Sequence, residues 1–127
     1  MHRVLRRRSI TLALLLGALS APAFAHHGWA WTESGFFELT GVIEEIYLGN
    51  PHATLDVDVE GTIWTVDLAP PGPTAAAGFV EGVAEPGDEV VAIGNRSADP
   101  SENRMKAVRL IVGGETYDVY PSRADDI

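Results

Sequence analysis

The chain has 127 residues, nine Lys and Arg against eighteen Asp and Glu, and no cysteine, so thiol catalysis, thiolate metal sites and a disulfide framework are all excluded. Arg3, Arg6, Arg7 and Arg8 supply four of the nine bases, which leaves residues 26–127 with five bases, all eighteen acids and a net charge of −13 with histidines neutral. Such a surface repels phosphate backbones, so nucleic acid is not an expected partner, while cations are attracted.

The first 25 residues read as a secretory signal: a basic n-region, an apolar run from Ile10 to Leu19, and an A-x-A cleavage site at Ala23-Phe24-Ala25. Ser20 and Pro22 interrupt the apolar run before the ~20 residues a spanning helix needs, so no stable membrane insertion is expected after cleavage. Arg7-Arg8 ahead of Ser9 and Ile10 is compatible with twin-arginine export, and the arginine cluster equally with the general secretory route. Cleavage after Ala25 predicts a periplasmic protein with His26 at its amino terminus and His27 beside it. The remaining 102 residues suffice for one domain around one modest core. Its expected parts are an N-terminal arm at 26–37, a barrel over 38–121 and a tail at 122–127.

The apolar, β-branched run Leu39 to Leu48 predicts a first strand, broken by the turn-forming Gly49-Asn50-Pro51. Leu55, Val57 and Val59 then alternate with Asp56, Asp58 and Glu60, the period of a half-buried strand with its acids outward. After Glu60-Gly61, Trp64, Val66 and Leu68 alternate with Thr65 and Asp67 as a third strand. Antiparallel hairpins follow, because connections this short exclude parallel crossovers. Pro70, Pro71, Pro73 and Pro86 exclude strand between Ala69 and Gly87, and Pro73 to Gly78 suits one short helix with proline in its first turn and glycine at its end. Further strands are expected at Glu89–Gly94, at Met105–Val112 and, beyond the Gly113-Gly114 turn, at Thr116–Tyr120. The order predicts an all-β fold, a small five- to six-stranded OB-like barrel with a short helix between strands 3 and 4. A small β-sandwich of the same hairpins is the alternative. Its expected core is Val42, Ile46, Leu55, Val57, Trp64, Val66, Val91, Ile93, Val108 and Leu110.

His26-His27-Gly28-Trp29, Leu39-Thr40-Gly41-Val42-Ile43, Gly49-Asn50-Pro51-His52, Gly94-Asn95-Arg96-Ser97, Arg104-Met105-Lys106-Ala107 and Tyr117-Asp118-Val119-Tyr120-Pro121 together resemble an uncharacterised family of small exported bacterial proteins, classed as a domain of unknown function. The resemblance spans essentially the whole chain after the signal. It implies a fold and an exported location and carries no activity. Pro70-Pro71-Gly72-Pro73-Thr74 departs from the tryptophan-containing stretch that relatives often carry there, which speaks against a ligand role for this crossover.

A free α-amine and an imidazole on His26 would chelate a metal, with His27 adding a further nitrogen. Amine and imidazole donors suit copper and, less selectively, zinc or nickel. His52, the one other histidine beyond the signal, follows Asn50-Pro51 at the first turn, at an end of such barrels whose loops line the ligand surface. Met105 offers a thioether suited to copper(I), although a methionine heading a strand also fills core gaps. Trp29 and Trp31 are expected to clamp the arm or to stack over a cation. The neighbouring acids Glu44-Glu45 and Asp125-Asp126 do not form a catalytic dyad, since adjacent strand residues point to opposite faces. There is no nucleophile elbow and no glycine-rich phosphate loop, so an enzyme is not expected. The sequence thus points to a periplasmic metal-binding carrier, sensor or buffer, with copper the expected cofactor held by His26, His27, His52 and Met105. A non-catalytic module that binds an envelope protein is the alternative.

Overall fold

Alternating apolar and polar residues along three hairpin-linked runs create a sheet with one greasy face, and that face can leave water only by curling on itself. The computed structural model, which describes residues 28–127, realises this as β1 (Phe37–Tyr47), β2 (Thr54–Val59), β3 (Thr62–Asp67), α1 (Pro71–Ala76), β4 (Glu89–Arg96), β5 (Arg104–Val112), β6 (Glu115–Asp118) and α2 (Pro121–Ala124). The expected signal segment and the histidines at 26 and 27 lie outside the described residues. No described helix is long and apolar enough to cross a membrane.

The sheet order is β3-β2-β1-β4-β5-β6, and β3 also pairs with β5, which closes five strands into a barrel with β6 as an extra strand on β5. Every neighbouring pair is antiparallel except the β3–β5 closure, which is parallel. The two tightest hairpins turn at Glu60-Gly61 and Gly113-Gly114, and all four of these residues have positive φ, the backbone that matches the twist of the flanking strands. Asp58 stabilises the first turn by accepting the Gly61 N–H at 2.7 Å.

The barrel, the early hairpins and the helix are as expected, with α1 starting two residues earlier than Pro73 and Gly78 just beyond its end at φ 91°. The tail differs from the expectation, since Pro121 nucleates α2 and Ala124 is buried. Six of the ten expected core residues, Leu55, Val57, Trp64, Val66, Val108 and Leu110, are buried. Ile46 is partly buried and packs against this core, whereas Val42, Val91 and Ile93 are not part of it. On β1 a bulge between Ile43 and Glu45 inserts one residue and reverses the alternation, so Leu39 and Ile43 point inward and Val42 is exposed. On β4 the unbroken run Val90 to Ile93 hides which parity is internal, and the buried pair is Val90 and Ala92. The small inner residues there have a cause: a side chain at Gly94 would collide with the Lys106 carbonyl and the Ala107 backbone across the β4–β5 bulge.

Trp64 plugs one end of the core at 8% exposure, stacked on Phe37 with ring centroids 5.5 Å apart, while the Arg96 guanidinium lies 4.9 Å from its ring centre. Trp64→Ala removes a large buried ring that its neighbours cannot replace, at a cost of about 3–5 kcal/mol. Chemical denaturation should show this as a lowered midpoint; an unchanged midpoint would contradict the packing described.

Candidate functional site

The site is built where the barrel closes. Strand alternation sends Val66 and Met105 inward, both with no exposed surface, and leaves Arg104 and Lys106 on the outer side of β5. Arg104 forks onto the Asp67 carboxylate through Nε at 3.1 Å and Nη2 at 2.9 Å, the bidentate geometry that guanidinium and carboxylate share. Lys106, two residues on, is 8% exposed and donates from Nζ to the Gly28 carbonyl oxygen at 2.7 Å.

The arm ahead of β1 lies along these two cations. Trp29 faces Lys106, whose Nζ is 4.6 Å from the ring centre, and Trp31 faces Arg104, whose Cζ is 5.7 Å from its own. The two-residue spacing of the tryptophans thus matches that of the cations. Tyr120 meets Trp29 edge-to-face at 4.9 Å, and the Arg123 guanidinium covers the same indole at 3.9 Å. Further along, the Glu33 N–H donates to the Arg96 carbonyl at 2.8 Å, and the Asn95 side-chain amide donates to the Glu33 and Gly35 carbonyls, each at 3.1 Å. Of the two expected roles for Trp29 and Trp31, the structure shows the clamp.

Between the arm and the 49–52 turn lies a cleft of about 120 Å³, lined by Gly28, Pro51, His52, Asp67, Lys106 and Tyr120 among others. The Asn50-Pro51 peptide is cis, and His52 is half-buried with Nδ1 3.2 Å from the Ala53 carbonyl. A carbonyl oxygen only accepts, so this contact is a hydrogen bond in the tautomer with the proton on Nδ1, the one whose Nε2 lone pair can bind a metal. Burial pushes the Lys106 ammonium below the usual lysine range, with the Asp67 carboxylate opposing that shift and Arg123 reinforcing it. Burial likewise pushes the Tyr120 phenol up, with Asp67 adding to the rise and Arg123 opposing it.

Of the four expected metal residues, His52 is at the cleft. Met105 is a core side chain packed among the barrel aliphatics and does not line the cleft, because the residue beside an outward lysine on a strand must point inward. His26 and His27 fall outside the described residues. Among those residues, no three His, Cys, Asp or Glu side chains are grouped to hold a metal. Sequence reasoning passed over Lys106, Tyr120 and Asp67. The signal was present in the matched spacings of Trp29-Ala30-Trp31 and Arg104-Met105-Lys106.

Replacing Lys106 with Met keeps the stem and removes the latch on Gly28. A hydrogen bond from a charged donor contributes about 1.5–3 kcal/mol, so the amides of residues 28–33 should exchange faster by hydrogen–deuterium exchange while the strand amides keep their protection. Unchanged exchange in the arm would show that the tryptophans hold it without the lysine.

A family model described as a family of unknown function, DUF6152, matches residues 14–106. No curated protein matches the chain.

Proposed function

Because the chain belongs to this family of unknown function, its activity has to be read from its own residues, and we propose that it is an exported, periplasmic metal-binding protein that carries, senses or buffers copper without catalysis. The observation that supports this is the latch: Gly28, the residue directly after His27, is fixed by Lys106 in the cleft that His52 lines. Consecutive Cα atoms are ~3.8 Å apart, so His26 and His27 are tethered within two residues of an anchored point beside His52. The proposed donors are the His26 amine and imidazole, helped by His27 or by Nε2 of His52.

The cleft's own charge bears on which metal it would take. The Lys106 ammonium stands there beside a carboxylate already bonded to Arg104, and the Arg123 guanidinium covers the neighbouring Trp29 indole. Diffuse attraction of hard cations is therefore weak at this point, and capture rests on nitrogen chelation, which favours copper(II) over calcium or magnesium. Signal cleavage would release the amine only after export, in the compartment where the donor set is needed.

Calorimetric titration with copper(II) should give about one ion bound per chain, with affinity falling as pH drops through the ordinary imidazole range near ~6.5, because protons compete for the same nitrogens. One added N-terminal glycine, which displaces the amine from its chelate ring, should weaken binding, and His52→Ala should weaken it separately. Equal binding by the native and glycine-extended forms would reject the terminal chelate, and no binding by any form would reject the metal reading.

A further inference from the structure

We propose that a second face of the barrel, between the end of β1, α1 and the loop that follows it, is a docking groove for a cationic amphipathic segment of a partner protein. This inference is independent of the metal reading. Two adjoining hollows of about 350 and 220 Å³ lie there, sharing Leu48, Phe79 and Val80. Ile46, Ala84 and Pro86 complete the apolar lining of the larger one. Phe79 forms a fully buried floor, while Val80 between the hollows is 44% exposed. The loop that carries them is held by its own hydrogen bonds, from the Phe79 N–H to the Thr74 carbonyl at 3.2 Å and from the Val83 N–H to the Val80 carbonyl at 3.3 Å. Apolar side chains are thus kept at the surface by a bonded backbone, the form that binding grooves take.

Charge names the occupant. Residues 28–95 contain twelve Asp and Glu and no Lys or Arg, and all five bases beyond the signal lie at 96–127. Glu81 lines both hollows and is the acid at the groove itself. No Lys or Arg lines either hollow, so the groove is complementary to a segment that presents apolar side chains on one side and Lys or Arg on the other. Anionic membrane surfaces and acidic peptides are repelled by the same acids.

The test uses isotope-labelled protein spanning residues 26–127 and three synthetic helical peptides: one with a leucine face and lysine flanks, one with those leucines replaced by serine, and one with the lysines replaced by glutamate. The leucine–lysine peptide should shift the amide resonances of residues 46–48 and 79–86, and the other two should not. Val80→Ser, at a surface position that leaves the melting midpoint unchanged, should weaken that binding about tenfold, the scale of losing one central apolar contact. Glu81→Gln should lower its salt dependence. Equal binding by the serine peptide, shifts spread over the acidic β2–β3 face, unaltered affinity of Val80→Ser, or preferential binding to anionic phosphatidylglycerol vesicles would each overturn the proposal.

Discussion

Three residue pairs at which β3 meets β5 carry the closure of this barrel: Thr65 with Arg104, Val66 with Met105, and Asp67 with Lys106. A parallel contact so short is the weakest kind of ladder, and the side chains at these positions compensate on both sides of it. Inside, Val66 and Met105 are sealed from water. Outside, Arg104 closes on an Asp67 carboxylate that is only 2% exposed. Such a pair adds little against a well-packed apolar alternative, but removing one partner strands a buried charge at a cost of about 3–5 kcal/mol. The pair therefore enforces one way of closing the sheet more than it deepens stability.

The cleft follows from the same seam. Alternation along β5 that sends Met105 into the core must send Arg104 and Lys106 outward, side by side, where Trp31 and Trp29 cover them. The arm is thus attached to the two residues that finish the barrel, so closure of the fold and placement of Gly28 beside His52 are one event. The donor set proposed above, reached only through that arm, would be assembled only in the folded chain.

What could be read from the sequence divides along physical lines. Turns were legible because Glu60-Gly61 and Gly113-Gly114 are local signals that need no knowledge of the partner strand. The faces of β2 and β3 were legible because acids alternate strictly with aliphatics. On β1 the parity was lost at the bulge, since Glu44-Glu45 gives no sign that one residue is to be skipped. On β4 it was lost because Val90 to Ile93 are all apolar, and only the close approach of Gly94 to β5 decides which side is inner. His52 was found from residue type and its turn, whereas Lys106 was passed over because nothing local to it marks a buried lysine. Its burial is created by Trp29 and Tyr120, which arrive from the two ends of the domain.

The distribution of charge ties these features together. Every base after Arg8 belongs to the last third of the chain, where Arg104 and Arg109 are bonded to Asp67 and Asp118 and Lys106 and Arg123 are spent on the arm. The bases thus serve mainly to hold the strand seam and the arm. The acids of residues 28–95 are left facing water in excess, with only Asp67 among them bound to an arginine in a described ion pair. A domain built this way has two chemically distinct hollows: a cleft where Lys106 and Asp67 are already bonded to other groups of the chain, and an apolar groove with Glu81 in its lining. On the functions proposed above the two would attract different ligands, a metal ion in one and a cationic segment in the other, so occupancy of either would not compete with the other.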